Sequence, residues 1–428
     1  MPLISLIVNC FIVQRFISFT TCLLILGILG CSKKSETPTL TFNSLSAGGV
    51  GLGIASPVNV PSNAVIVALM SSNIDPGSAT PGSIQLMRQF DSTNVDMTIT
   101  VLGSTITITP KADLGNGIYY ILTFTNIRST DGIIMTYLWR AFTTIGSFSP
   151  PGLVAYWNFN GNTYDQQGNY AVSSMNDFNY AISFRKSLGE CAAFNGTSAI
   201  LQISDGDKLV TTTDFSVSFW VKANSQYQID SLGKPKGQFV LGVGDYKGFE
   251  FEIAPDYGSC KLVASYALPD GTTISEDLSF AGDGKTASNG GLPGWTYCTD
   301  LTSSGGVAAL VRDKWVFITC TYASATKVGT LYLNGVKMKE QDFNQWPVGD
   351  PARNITGLKY GGSYPQQENI FAMGFFHSAG SSAFSGTSWG NYFSPFANHF
   401  RGWLDEVRIF HRAIEAVEVT QMYTLTKP

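Results

Sequence analysis

Charge is scarce in this chain. Only 14% of its residues are Asp, Glu, Lys or Arg, and 27 basic against 31 acidic residues leave a formal net charge of -4. No Lys/Arg-rich block interrupts the sequence, so the electrostatic footprint of a nucleic-acid binder is missing and that partner class is set aside. Histidine is rarer still: His377, His399 and His411 are scattered, and no Cys/His cluster has zinc spacing. No Ser or Cys nucleophile carries a flanking motif, and Gly282-Asp283-Gly284-Lys285 lacks both the strand and the spacing of a phosphate-binding loop. What is plentiful is apolar and turn-forming, with 44% hydrophobic residues, 44 Gly, 28 Phe and 18 Tyr in 428 residues. That length holds two or three domains with sizeable cores, and that composition favours strands and turns over charged helices. An all-β protein is expected.

One long apolar run stands apart at the N-terminus. Residues 1–30 include Leu23-Leu24-Ile25-Leu26-Gly27-Ile28-Leu29-Gly30 behind a single basic residue, Arg15, and read as an export signal. Ile28-Leu29-Gly30-Cys31 resembles the lipobox of bacterial lipoproteins. The resemblance implies that Cys31 is lipidated and anchors the chain in the cell envelope, as an outer-membrane lipoprotein facing the periplasm or the surface. An ordinary signal peptide and an uncleaved membrane helix are the alternatives. Residues 31–38, polar and ending in Pro38, form a tether.

Residues 39–146 are short apolar runs separated by Gly, Pro, Asn and Asp. Thr105-Ile106-Thr107-Ile108-Thr109 alternates strictly, which gives one apolar and one hydroxylated face, the period of a half-buried strand. Val60-Pro61-Ser62-Asn63-Ala64, Ile74-Asp75-Pro76, Asn116-Gly117-Ile118-Tyr119, Asp131-Gly132 and Trp139-Arg140-Ala141-Phe142-Thr143-Thr144 resemble the bacterial Ig-like module. That family implies a β-sandwich used as a spacer. Asp75 and Asp131 read as turn formers through side-chain to backbone hydrogen bonds.

A connector, residues 147–151 with two prolines, leads into residues 152–428. Phe215, Val217, Phe219 and Val221 share one face of a strand, and Leu331-Tyr332-Leu333 runs into Asn334-Gly335, a two-residue hairpin signal. Gly152 to Phe159, Ala193-Phe194-Asn195-Gly196, Phe215 to Lys222, Trp315 to Tyr322, Leu331 to Gly335 and Gly402 to Phe410 resemble the LamG-like, concanavalin A-like jelly rolls. The expected architecture is therefore all-β: an Ig-like β-sandwich followed by an antiparallel jelly-roll sandwich. Arg412 to Val419 reads as a closing helical turn. Loops 224–237, 281–306 and 341–369 are long, and 370–400 is unusually aromatic.

In related jelly rolls a structural calcium sits where the closing strand meets the first, so the resemblance implies calcium at Asp405 and Asn160, with Asp165 a weaker candidate. Of the four cysteines that follow Cys31, Cys260 and Cys298 border the Gly-rich insertion and form the expected disulfide; Cys320, sharing a face with Val316 and Ile318, reads as a buried thiol. Glu250 and Glu252 are the one dense acidic pair on a strand, but they lack the further acidic residue of laminarinase-type enzymes. A sugar needs flat aromatic faces with polar partners beside them. Trp295, Trp346, Tyr364, Trp389 and Tyr392, with Tyr297 and Tyr360 near them, are loop-placed candidates, each with packing as the alternative. The expected function is envelope-anchored, non-catalytic binding of a carbohydrate through the jelly roll, with a protein-binding or structural surface adhesin as the alternative and a glycoside hydrolase behind it; the expected partner is a glycan or a surface protein.

Overall fold

Alternation in the sequence becomes sheet in the computed structural model, which describes residues 38–184 and 189–427. The expected export signal, the expected anchor Cys31 and the expected tether through Thr37 lie outside the described residues. In Thr105–Pro110, Ile106 and Ile108 are fully buried while the threonines between them face outward. This strand lies between Ile66–Met70 and Met97–Leu102 in a five-stranded antiparallel sheet that continues to Phe42–Ala47 and Val50–Gly51. A four-stranded sheet, in the order Thr93–Asn94, Ile84–Arg88, Tyr119–Arg128, Ile134–Thr143, buries Leu86, Tyr120, Leu122 and Phe124 against it. The result is the expected Ig-like sandwich. Asp75 forms its turn as read, accepting the Gly77 N–H at 3.0 Å, whereas the turn at Asp131 is closed by Ser129, whose hydroxyl accepts the Ile133 N–H at 3.0 Å.

The connector does not hang free. Phe148 is buried and meets Phe90 edge-on at 5.1 Å, so it belongs to the first sandwich's core. Leu153 then pairs with Phe410 in the second sandwich. Leu40–Pro428 accordingly forms one compact unit.

The second sandwich has two antiparallel sheets. One has nine strands: Asn179–Ile182, Glu190–Asn195, Arg401–Phe410, Phe215–Ala223, Val316–Ala323, Val328–Leu333, Val336–Asp342 and Trp295–Cys298 in that order, with Leu153–Trp157 also paired to Arg401–Phe410. The other has eight: Val172–Asn176, Ile200–Ile203, Phe371–Met373, Gln238–Val243, Phe249–Ile253, Cys260–Ala267 and Thr273–Phe280, with Gly357–Leu358 beside Cys260–Ala267. Phe215, Val217, Phe219 and Val221 all point inward and are fully buried. Phe215 meets Phe249 at 5.2 Å and Phe219 meets Phe251 at 5.1 Å across the two sheets. Each such burial contributes roughly 1.5–3 kcal/mol.

The alternate residues of the same strand are buried as well. Trp220 points to the outer face, where the helix Ala416–Thr426 covers it: its indole N–H donates to Thr426 Oγ1 at 3.0 Å and its ring lies 5.8 Å from Tyr423. This helix is longer and starts later than the closing turn read at 412–419. Its start is fixed by a capping box between Glu415 and Glu418, which leaves Arg412, Ala413 and Ile414 outside it. Two glycines are required by geometry. Gly335 follows Asn334 in the hairpin with φ of 78° and 53°, both left-handed as the expected turn demands. A Cβ on Gly402 would stand 2.1 Å from the Lys222 carbonyl oxygen.

Candidate functional site

The loop that follows Leu153–Trp157 is organised by one carboxylate. Asp165 is 6% exposed. Its Oδ1 accepts the Tyr156 and Gln167 N–H groups at 2.8 and 3.0 Å, and its Oδ2 accepts those of Asn169 and Tyr170 at 2.8 and 3.1 Å. Four backbone donors saturate it, which removes Asp165 as a calcium ligand and fixes the loop so that Tyr164 and Tyr170 flank the anchor. The chain then enters Val172–Asn176 and turns back as Asn179–Ile182. These strands are the outermost of the eight- and nine-stranded sheets respectively.

The loop and these two strands, one from each sheet, enclose an open cleft of about 730 Å³ lined by Asn162, Tyr164, Tyr170, Met175 and Tyr180, with Gly161 and Gly168 among its backbone contributors. Tyr164 is 75% exposed and Met175 59% exposed. Tyr180 is braced edge-on by Phe178 at 5.1 Å, which leans in turn on Phe194 at 5.9 Å, so the wall is backed by the core. Partial burial raises the phenol pKa of Tyr170 and of Tyr180. No described residue hydrogen-bonds to the hydroxyls of Tyr164, Tyr170 or Tyr180. This cleft was missed from sequence. The signal was the stretch Asn160-Gly161-Asn162-Thr163-Tyr164 to Asn169-Tyr170, aromatic residues in a polar loop too short to stand out beside the long insertions.

The aromatic residues singled out from sequence are not brought together. Trp295 and Trp346 lie under the Gly-rich insertion: a Cβ on Gly291 would stand 2.6 Å from the Trp295 ring, and one on Gly294 would stand 2.7 Å from Trp346 Nε1. Lys339 Nζ covers Trp295 at 3.3 Å from its centroid. Tyr392 belongs to a satellite cluster, and Trp389, 41% exposed, borders it. Trp389 packs on Phe384 at 5.0 Å, and Tyr392 is buried with its hydroxyl donating to the Ser198 carbonyl at 2.6 Å. Tyr297 lies beneath Lys337 Nζ at 4.7 Å from its ring, and Tyr360 is partly buried against the main core. Tyr364 is exposed and apart from the others. His377 and His399 pack within the same satellite cluster, where burial lowers the His399 pKa to about 4.

The calcium expected at Asp405 and Asn160 does not fit the residues present. Asp405 Oδ2 accepts the Ser183 hydroxyl at 2.6 Å and Oδ1 accepts the Glu406 N–H at 2.9 Å. Burial pushes the Asp405 carboxyl up to about 8, so it is largely protonated at neutral pH. Asn160 commits its side-chain oxygen to the Glu190 N–H at 3.1 Å. Among the described residues no group of three or more His, Cys, Asp or Glu converges on a metal position.

The expected Cys260–Cys298 bridge is also corrected: both are free thiols, as are Cys191 and Cys320. Cys260 is buried between the sheets, which pushes its thiol up to about 12, whereas Cys298 sits on the outermost strand of the other sheet opposite Lys339. Cys320 shares the inner face with Val316 and Ile318, as read.

Glu250 and Glu252 lie on the outer face of the eight-stranded sheet without forming an open carboxylate pair. Glu250 is 7% exposed, one of its oxygens has no partner, and burial raises its pKa well above the usual range. Glu252 pairs with Lys261 at 3.2 Å. A second cleft, of about 840 Å³, lies where the sandwiches meet, lined by Arg88, Asp96, Lys111 and Asp113. Its two tyrosines are committed: the Tyr120 hydroxyl accepts the Gly115 N–H at 3.1 Å, and the Tyr156 hydroxyl donates to Glu406 at 2.8 Å.

Among solved structures, the chain is similar to the receptor-binding domain of botulinum neurotoxin type G at a TM-score of 0.38 and 14% identity, over 64% of this chain and 51% of that one. It is similar to the receptor-binding domain of botulinum neurotoxin D at a TM-score of 0.38 and 13% identity, over 64% and 52%. The aligned region thus spans about half the length of those chains. No curated protein matches. The model of the bacterial Ig-like domain family matches residues 54–144, within the two sheets of the first sandwich.

Proposed function

We propose that this protein is a non-catalytic, envelope-anchored carbohydrate-binding protein. In this reading Cys31 carries the lipid, residues 39–146 act as a spacer, and the jelly roll of residues 152–428 binds the glycan. The tyrosine-walled cleft carries the reading. It presents exposed aromatic rings to the apolar face of a sugar, and hydroxyls without partners among the described residues to the sugar's own hydroxyls. The burial of Glu250 and the pairing of Glu252 weigh against hydrolysis.

The test is a glycan array probed with the purified protein, with Tyr164→Ala and Tyr180→Ala, and with Tyr392→Phe as a control at a buried position outside the cleft. Selective binding should weaken about fivefold per tyrosine, the effect of an aromatic contact of about 1 kcal/mol, and be unchanged in the control. A folded protein that binds no glycan removes the reading. A protein-binding adhesin is the second reading. It is favoured by Ile54, Tyr137 and Trp139, which are 95%, 60% and 50% exposed around Ile134–Thr143, the outermost strand of the four-stranded sheet.

A further inference from the structure

We infer that the tyrosine cleft selects neutral and amino sugars and rejects glycans that carry carboxylate or sulfate groups, because the charged side chains placed around it are, among the described residues, mainly acidic. This rests on the carbohydrate reading above. Asp165 is the single charged residue among those that line the cleft. Its oxygens are occupied by backbone N–H groups, but its negative charge stays in place beneath the loop. At the Gly161 end, the Glu190 carboxylate comes within 3.5 Å of where a Cβ on Gly161 would stand. At the Tyr170 end, Val172 is the register partner of Ile203, so the turn that carries Asp205 and Asp207 runs past Ala171 and Tyr170. The described cation nearby, Lys208, is held 3.1 Å from Asp205 as a solvent-exposed pair of modest strength.

The cleft therefore has carboxylates at both ends and one beneath it. Carboxylates accept hydrogen bonds and donate none, so they suit the hydroxyl and ammonium groups of neutral and amino sugars. An acidic sugar would bring like charge to the same place and would find few hydrogen-bond donors other than the phenols and amides. Because the flanking carboxylates are exposed, the discrimination should be sensitive to salt. The tyrosines supply affinity, and the acidic surround decides which sugars gain from it.

The experiment measures binding of the purified protein to oligosaccharide sets that differ only in charge: neutral, amino, uronic and sulfated. It is run at low salt and at about 0.5 M salt, on the unmodified protein and on a Glu190→Gln/Asp205→Asn variant, both exposed positions. Neutral and amino sets are expected to bind, with the acidic sets roughly tenfold or more weaker. That gap should narrow in high salt and in the variant. Acidic sets that bind as well as neutral ones, while still depending on Tyr164 and Tyr180, overturn the selectivity and leave the carbohydrate reading standing. A gap unchanged in the variant overturns it as well. Silence from every set, or binding indifferent to the tyrosine substitutions, removes the carbohydrate reading itself.

Discussion

Replacing Glu406 by glutamine should be among the most damaging single changes to the jelly roll, although the two side chains have nearly the same shape. Glu406 is 2% exposed and sits at φ 55°, where the pairing of Arg401–Phe410 with Phe215–Ala223 slips register. Its carboxylate pairs with Arg408, which is 1% exposed, and accepts the Tyr156 hydroxyl at 2.8 and 2.9 Å. Arg408 Nε and Nη1 already lack partners, and burial keeps the neighbouring Asp405 carboxyl largely protonated, so Glu406 supplies the compensating charge. The glutamine keeps the backbone conformation and most of the volume but leaves a buried guanidinium uncompensated. Removing one partner of such a pair costs about 3–5 kcal/mol. Urea unfolding followed by tryptophan fluorescence should show a loss of that size, while Tyr156→Phe, which removes one donor to a charged acceptor, should cost about 1.5–3 kcal/mol. The double change Glu406→Gln/Arg408→Met should recover much of the loss, since no unpaired charge remains. A Glu406→Gln loss below about 1 kcal/mol, or a double variant weaker than the single one, would refute the reasoning.

Three further outcomes follow from the structure. Burial holds His399 near a pKa of about 4 against an unfolded value near 6.5, so the native state binds fewer protons than the unfolded one between those limits. The contribution of His399 is complete above about pH 6.5 and is lost as pH falls toward 4, by about 3 kcal/mol; because the buried Asp405 carboxyl titrates in the opposite sense, the measure is the difference between two proteins, and the urea midpoint of His399→Gln should gain on that of the unmodified protein across that window. Non-reducing peptide mapping should recover Cys260 and Cys298 as separate thiols, and reductant should leave the urea midpoint unchanged; a linked peptide pair would restore the bridge. Gly402→Ala should cost about 3 kcal/mol or more, because its Cβ would meet the Lys222 carbonyl oxygen, and an unchanged midpoint would mean that the backbone path there is wrong.

The sandwiches were legible in the sequence because each inner face is written in local alternation, as in Thr105–Pro110 and Phe215–Ala223, and because Asn334-Gly335 fixes its own turn. What depended on contacts between distant segments was not. Trp220 falls on the outward phase of its strand, and only the arrival of Ala416–Thr426 makes that face a second buried layer. Cys260 and Cys298 border one insertion in sequence, yet they belong to strands of different sheets. The cleft was hidden for the same reason: Tyr164 and Tyr170 belong to a loop and Tyr180 to an edge strand, and they face one cleft only once Asp165 has gathered the backbone around itself. Tryptophan content and loop length drew the sequence reading toward Trp295, Trp346 and Trp389, whose neighbours proved to be glycines, lysines and other rings.

The strand Arg401–Phe410 lies in the interior of the nine-stranded sheet, hydrogen-bonded to Leu153–Trp157, Glu190–Asn195 and Phe215–Ala223, and its Glu406 stands 250 positions along the chain from the Tyr156 it contacts. As the chain leaves the ribosome, its earlier strands must wait with open edges for a central member that is made long after them. The jelly roll is therefore committed to late, slow assembly from non-local pairings. Such a schedule makes a premature stop ahead of Arg401 a failure of the whole sheet, not the loss of a tail.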